Sequence, residues 1–176
     1  MSLDLQITTG EQMQSLGRAL GAIAREGDLL ILTGDLGAGK TTFTQGLGEG
    51  LGVRGPITSP TFVIAREHPN LQGGPTLVHV DAYRLNSLLE LDALDLDTDL
   101  DRAVTVVEWG SGLVEVLSQQ RLEIEIVRPR GAVADAENAQ DGTRQVQLKA
   151  VGERWDDLRN ELATKLGPNF DQETQW

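Results

Sequence analysis

A glycine-rich segment, GDLGAGKT at residues 34–41, contains the residue types that bind phosphate groups. It matches the pattern G-x-x-x-x-G-K-[ST] and lies between an apolar run, LLILT, and a segment with apolar residues at helical spacing. In such a loop, backbone N–H groups and a helix N-terminus face the phosphates, a lysine contacts the β and γ oxygens, and a threonine hydroxyl ligates Mg²⁺. We therefore predict that the phosphates of a nucleotide are bound by Leu36, Gly37, Ala38, Gly39, Lys40, Thr41 and Thr42. The alternative is a glycine-rich turn that only caps a helix.

An acidic residue, Glu108, ends a second apolar run, AVTVVEW. Magnesium bound to a nucleotide commonly takes a further acid from the end of a neighbouring strand. This makes Thr41 and Glu108 the predicted metal ligands, and Lys40 and Glu108 predicted catalytic residues. A strand can also end in a charge simply because the chain returns to water, so spacing alone leaves both interpretations open. Trp109, the next residue, either packs in the core, which is the commoner outcome, or stacks near the site.

Two further segments carry polar groups that could act on a bound nucleotide. In HVDAYR, the two-residue period of a strand places His79 and Asp81 on one face. Asp81 could position water or hold the water shell of the metal, which makes it a third predicted catalytic residue, or it could cap a turn. In TSPTF, the hydroxyls of Thr58, Ser59 and Thr61 flank a proline. Such a segment can change conformation when a γ-phosphate binds, or it can be the plain beginning of a strand.

The periodicity of the sequence predicts the elements that position these groups. Residues 11–26 have helical spacing, with Thr9 and Gln12 in the relation of a capping box. The runs TSPTFVIARE and TLVHVDAYRL flank a turn and predict an antiparallel hairpin. The runs RLEIEIV and RQVQLKAV alternate, which predicts two strands with one wet face, and residues 152–166 predict a closing helix. Together these predict an α/β protein, a three-layer P-loop NTPase fold with a mixed, mainly parallel central sheet and an antiparallel hairpin.

Length, composition and charge limit the class of protein. The 176 residues, 39% of them hydrophobic, predict one domain over residues 1–166, with a mobile loop at 128–143 and a loose tail at 167–176. The longest aliphatic run has four residues and the N-terminus lacks a signal-peptide pattern, which argues against a membrane or secreted protein. The absence of cysteine and the presence of only two histidines exclude thiolate and three-histidine metal sites. The net charge of -12 disfavours direct nucleic-acid binding.

Besides an ATPase, three other classes of P-loop protein are considered. The sequence argues against a guanine-specific GTPase, because none of the three lysines lies in an Asn-Lys-x-Asp motif. A small-metabolite kinase stays as an alternative, because Arg128, Arg130 and Arg144 could belong to a lid. A module that binds nucleotide but barely hydrolyses it is the third class. No arginine is evidently placed to stabilise the transition state, so an ATPase of this sequence is expected to be slow on its own.

Four ordered segments resemble the TsaE (YjeE) family: GDLGAGKTT (34–42), TSPTF (58–62), HVDAYRL (79–85) and VEW (107–109). The resemblance extends over about residues 11–109, and the C-terminal part agrees only in pattern. It implies a cytoplasmic ATPase that acts with the TsaB and TsaD proteins. Its ATP hydrolysis would support turnover of the complex that makes N6-threonylcarbamoyladenosine in tRNA, without contact between this chain and the tRNA.

The resemblance also implies roles for individual residues. Lys40 would hold the phosphates, Thr41 and Glu108 would bind Mg²⁺, and Asp81 would help to orient the hydrolytic water or the metal. Trp109 would lie close to the nucleotide, and TSPTF would behave as a switch.

The resemblance further makes Thr9 and Gly10 candidate nucleotide contacts. Two departures from the family pattern are visible. The segment EWGSG lacks the acidic residue that relatives often have shortly after the tryptophan, and the insertion PRGAVADAENAQDG is longer than the usual connection.

Overall fold

The computed structural model of the protein describes residues 1–58, 65–85, 87–92, 100–128, 142–167 and 170. Its strands and helices are β1 (Ser2–Ile7), α1 (Gly10–Ile23), β2 (Leu29–Gly34), α2 (Lys40–Leu51), β3 (Ala65–His68), β4 (Thr76–Asp81), α3 (Leu88–Asp92), β5 (Ala103–Glu108), β6 (Arg121–Val127), β7 (Arg144–Val151) and α4 (Leu158–Leu166). Two 3-10 turns span Val114–Leu117 and Glu153–Trp155. Within the described residues, no helix combines the length and the apolar character that crossing a membrane would need.

The strands form one sheet with the order β1-β7-β6-β2-β5-β4-β3. The four central strands, β6, β2, β5 and β4, run parallel. Antiparallel strands extend the sheet on both sides, with β7 and β1 beyond β6 and β3 beyond β4. The mixed sheet, the β3–β4 hairpin and the β6–β7 pair are therefore confirmed. The carboxyl ends of the central strands meet at one edge, where α/β proteins bind their ligands.

The sheet is covered by helices on one face and by shorter segments on the other. The main core lies beneath α1, α2 and α4 and includes Leu16, Leu20, Phe43, Leu47, Leu158 and Leu162. On the opposite face, Leu100 and Val114 pack with the strand residues Ile31 and Val107. The described residues thus form the predicted three layers. Side chains of β6 and β7 alternate between buried and exposed, which confirms the predicted wet face.

Helices α1 and α2 approach each other through glycines on both contact surfaces. A Cβ atom at Gly17 would lie 2.1 Å from the Phe43 carbonyl oxygen, and one at Gly46 would lie 2.0 Å from the Gln14 carbonyl oxygen. Gly21 and Gly50 are equally close to the facing backbone. Because only glycine allows this separation, the glycines set how closely the two helices can approach each other.

Helix α1 ends at Ile23 rather than at the predicted Glu26, because hydrogen bonds with Asp28 and Arg154 replace its last turn. The Arg25 N–H donates to Asp28 Oδ2, and Arg154 Nη2 donates to the Ile23 carbonyl oxygen. The Arg154 guanidinium also binds both carboxylate oxygens of Asp28, at 2.9 and 2.8 Å. Arg154, 126 positions from Asp28 and 131 from Ile23, thus helps to stop the helix, and local spacing gives no sign of its contribution.

The predicted closing helix divides into the 3-10 turn Glu153–Trp155 and α4, and its apolar face is confirmed by the fully buried Trp155, Leu158 and Leu162. Most of the predicted mobile loop 128–143 and of the predicted tail lies outside the described residues. Phe170, from that tail, is buried in the main core.

Candidate functional site

Residues 35–39 connect the end of β2 to the first residue of α2 and form the loop expected from GDLGAGKT. Gly37 and Gly39 have φ values of 76° and 117°. In this left-handed region a residue with a side chain would be strained, so both positions favour glycine. The Phe43 N–H donates to the Gly39 carbonyl oxygen at 2.9 Å, so the helix begins directly after the loop. The first helical N–H groups and the helix dipole therefore face the loop and favour an anion there. Thr41 and Thr42 lie in this first turn.

The Lys40 ammonium lies against the loop itself. Nζ donates to the carbonyl oxygens of Gly34, at 2.8 Å, and Asp35, at 3.1 Å. The side chain is largely buried, and this burial lowers the pKa of Lys40 below its ordinary 10.5. The carboxylates of Glu108, Asp81 and Asp35 oppose that change, because they favour the charged amine. The site thus combines one buried cation with three acids.

Two of these acids lie side by side at the ends of adjacent parallel strands. Asp81 of β4 and Glu108 of β5 are Cα partners, and Glu108 is also paired with Leu32 of β2, just before the loop. Glu108 is buried, and its Oε1 lies 2.8 Å from His79 Nε2. The topology, rather than closeness in sequence, brings both predicted acids to the Lys40 loop.

Asp81 also has a local structural contact. Its Oδ1 accepts a hydrogen bond from the Tyr83 N–H at 2.9 Å, which forms the turn that follows β4. The turn-capping role left open by the sequence is therefore present. Asp81 remains partly exposed and influences Lys40, so the contact with Tyr83 does not remove it from the site.

Trp109 lies in the site and not in the core, so the interpretation of it as a core residue is wrong. It has a φ of 60°, it is 37% exposed, and its backbone N–H donates to the Leu32 carbonyl oxygen at 3.2 Å. The left-handed backbone turns the indole over the Lys40 ammonium, which lies 4.5 Å from the ring centroid. On its other side the ring meets Tyr83 edge-on, with centroids 5.7 Å apart. A tryptophan held in this way lines the surface beside residues 35–39, which we call the phosphate loop after the sequence motif.

A cavity of about 520 Å³ adjoins the opposite side of the loop. Its walls come from the β1–α1 junction, the loop and α2, and include Thr9, Gly10, Met13, Gly37, Ala38, Gly39 and Thr42. Thr9 itself caps α1, accepting from the Gln12 N–H at 3.1 Å in the predicted capping box. The structure therefore places Thr9 and Gly10 at a cavity next to the phosphate loop. Its volume suits a nucleoside-sized ligand.

Arg144 is a site residue that sequence analysis considered only as a lid arginine. It is buried beside the cavity, with Nε donating to the Ala38 carbonyl oxygen at 3.3 Å and Nη1 donating to the Gly142 carbonyl oxygen. It therefore braces the loop from β7. One clue was present in the sequence, since the alternation of β7 puts Arg144 on the same face as the buried Val146 and Leu148.

The remaining predicted residues are more peripheral. Leu36, at the tip of the loop, is 96% exposed. Thr58 Oγ1 accepts a hydrogen bond from Arg66 Nη1 at 2.8 Å. Ser59 and Thr61 of the predicted switch lie outside the described residues.

The oxygen atoms of Thr41 and Glu108 suit Mg²⁺, a hard cation that prefers oxygen ligands. No group of three or more acidic or histidine side chains that could hold a metal occurs in the described part of the chain. A small protein donor set of this kind fits an ion that takes its other ligands from phosphates and water, not a metal held by protein alone.

Comparison with known proteins places this arrangement in a family. Residues 7–135 match the sequence model of a protein family, which is described as threonylcarbamoyl adenosine biosynthesis protein TsaE. The chain belongs to the TsaE family. The match includes the loop, both acidic strand ends and Trp109, which are the parts that form the site.

Individual TsaE proteins and one solved structure agree with this assignment. Similar proteins named tRNA threonylcarbamoyladenosine biosynthesis protein TsaE occur in Streptomyces coelicolor and Bacillus subtilis. The Streptomyces protein is 57% identical over 144 residues, 81% of this chain and 93% of that protein. The Bacillus protein is 40% identical over 154 residues, 87% of this chain and 89% of that protein. A crystal structure of Bacillus subtilis YdiB is 34% identical, with a TM-score of 0.71, and the alignment covers 93% of this chain and 95% of that one.

Proposed function

We propose that this protein is a Mg²⁺-dependent ATPase that supports the synthesis of N6-threonylcarbamoyladenosine in tRNA. The observation that carries the ATPase proposal is the convergence of Lys40, Asp81 and Glu108 at one edge of the sheet. The role in tRNA modification is supported by family membership and by the names of the similar proteins.

In this proposal the nucleotide lies along the loop between the cavity and the strand ends. The nucleoside lies in the cavity beside Thr9 and Gly10, and Arg144 stabilises the loop through its hydrogen bond to the Ala38 carbonyl oxygen. The phosphates would lie over residues 36–42, because loops of this kind present backbone N–H groups to an anion. To contact them, Lys40 exchanges its bonds to the Gly34 and Asp35 carbonyl oxygens for the phosphate oxygens.

Thr41 and Glu108 would hold Mg²⁺, which when bound neutralises charge on the β- and γ-phosphate oxygens. Asp81, one position across the sheet from Glu108, would orient a water molecule toward the γ-phosphorus. The water oxygen forms a bond to phosphorus as the bond to the β–γ bridging oxygen breaks, and ADP and inorganic phosphate leave. Lys40 stabilises the negative charge that develops on the transferred group.

Slow hydrolysis by the isolated chain and stimulation by partners complete the proposal. Arg144 lines the cavity and is engaged with the carbonyl oxygens of Ala38 and Gly142, so we do not assign it to the transition state. Transition-state arginines typically contribute about 10³–10⁵ to the rate of such reactions. We infer that the TsaB and TsaD proteins supply what is missing, in the cytoplasm, and that the tRNA does not bind to this acidic chain directly.

Hydrolysis of ATP labelled at the γ-phosphate tests the reaction. Wild-type protein with Mg²⁺ should release labelled inorganic phosphate, and Lys40→Ala should not. Lys149→Ala is the matched control, because this exposed lysine pairs with Glu123 on the far face of the sheet. Transfer of the label to a small metabolite would instead identify a kinase, and binding of ATP without release of label would identify a nucleotide-gated binding module.

A further inference from the structure

His79 lies in the middle of β4, next to the buried apolar residues Leu77, Val78 and Val80. Its side chain is 0% exposed, and Nε2 lies 2.8 Å from Glu108 Oε1. The other ring nitrogen, Nδ1, is buried without a hydrogen-bond partner among the described residues. An unpaired buried polar atom destabilises a protein, so an apolar side chain would suit this position better if packing were all that mattered. The bond to Glu108 is the contact that only a polar residue can make here.

The hydrogen bond determines the orientation of the Glu108 carboxylate. A carboxylate only accepts hydrogen bonds, so Nε2 carries the proton and donates it to Oε1. Glutamate has several rotatable bonds, and this contact restricts them in a residue that is itself buried. The bond engages Oε1 and leaves Oε2 as the oxygen available to a ligand.

We propose that His79 is a positioning residue, which holds Glu108 in the orientation that binds the Mg²⁺ accompanying the nucleotide. This proposal rests on the function proposed above. Residues that orient metal ligands in this way typically contribute about 10–100-fold to metal affinity or activity. His79 does not touch the nucleotide, so its loss should change the metal requirement and spare the affinity for nucleotide without metal.

The second histidine of the chain provides a matched control. His68 lies on the neighbouring strand β3, paired with Leu77, and is also buried with an unpartnered ring nitrogen, Nε2. In the described structure it has no hydrogen bond to Glu108. Replacing either histidine by leucine therefore removes a buried imidazole from the same sheet, but only one replacement frees Glu108.

The experiment compares the wild type with His79→Leu, His79→Gln and His68→Leu. Thermal unfolding first shows that each variant is folded. Calorimetry then measures two quantities: the ADP affinity without metal, and the Mg²⁺ concentration that gives half of the metal-dependent gain in ADP affinity. His79→Leu should raise this Mg²⁺ concentration about 10–100-fold and leave the metal-free affinity within about twofold. His79→Gln should remain within about threefold of the wild type, because its carboxamide N–H₂ can donate in place of Nε2. His68→Leu should behave as the wild type.

Several results would overturn the positioning role. The first is a wild-type Mg²⁺ requirement in His79→Leu. The second is a loss of metal-free ADP affinity in His79→Leu that is as large as its loss of Mg²⁺ response. The third is a His79→Gln variant that is as impaired as His79→Leu. If His79→Leu does not fold, His79→Met takes its place, because it also removes the donor to Glu108; a raised Mg²⁺ requirement in His79→Met supports the proposal, and a wild-type requirement contradicts it. If wild-type protein shows no response to Mg²⁺, the proposed function fails and this role fails with it. If only the variants disagree, the proposed function stands.

Discussion

Replacement of Gly46 by alanine tests the close contact between α1 and α2, the two helices that line the cavity beside the phosphate loop. Gly46 lies inside α2 and faces the backbone of α1. The added Cβ atom would lie 2.0 Å from the Gln14 carbonyl oxygen and 2.8 Å from its carbon. Backbone atoms cannot rotate away, so the helices would have to separate by more than about 1 Å to restore ordinary contact.

The expected loss of stability follows from two opposing effects. Overpacking of a well-packed interface costs about 1–3 kcal/mol, and a clash with backbone lies at the upper end of that range. Alanine in place of glycine inside a helix returns about 1 kcal/mol. The free energy of unfolding should therefore fall by about 2 kcal/mol, which in a chain of this length lowers the Tm by about 4–8 °C.

Thermal unfolding followed by circular dichroism measures this change. Gly10→Ala is the control, because Gly10 begins α1 and a Cβ atom there would meet nothing within 4 Å. The Tm of Gly10→Ala should equal or slightly exceed that of the wild type. A Tm of Gly46→Ala at or above the wild-type value would refute the close helix contact and the account of how the glycines set it.

Three further predictions concern the site and the buried histidines. Glu108→Ala should abolish Mg²⁺-dependent phosphate release and leave part of the nucleotide affinity, whereas wild-type turnover would contradict the metal assignment. Asp81→Ala should leave the ATP affinity within a fewfold of the wild type and lower hydrolysis; an unchanged rate would leave Asp81 only its turn contact with Tyr83. Burial, with smaller effects from His79 and Arg66, lowers the pKa of His68 below its ordinary 6.5. Below pH 6.5 the unfolded chain therefore binds more protons at this residue, and stability falls as the pH is lowered. His68→Leu should show a smaller drop in Tm between pH 7 and pH 5 than the wild type, and an equal drop would exclude this contribution.

The phosphate loop and its strand and helix could be predicted from sequence because the features are local. The apolar run of β2, the glycines of the loop and the spacing of α2 all lie within about 25 residues. The alternation in β6 and β7 is local as well, and it correctly predicted the pair with one wet face.

Features that depend on distant residues could not be predicted in the same way. Periodicity contains no information on strand order, so it could suggest Asp81 and Glu108 separately but not their adjacency. The end of α1 depends on Arg154, far along the chain, and the position of Trp109 depends on a left-handed backbone that places its ring over Lys40. Arg144 was overlooked as a loop contact because its partner, Ala38, lies on a different element.

The measurement that tests the central claim most directly is ATP hydrolysis by the purified chain, alone and together with TsaB, TsaD and tRNA, with Lys40→Ala as the blank. The account predicts slow hydrolysis by the chain alone, strong stimulation by the complete mixture, and no stimulated hydrolysis with Lys40→Ala. Hydrolysis that is unchanged by the partners, or stimulation that survives Lys40→Ala, would contradict it.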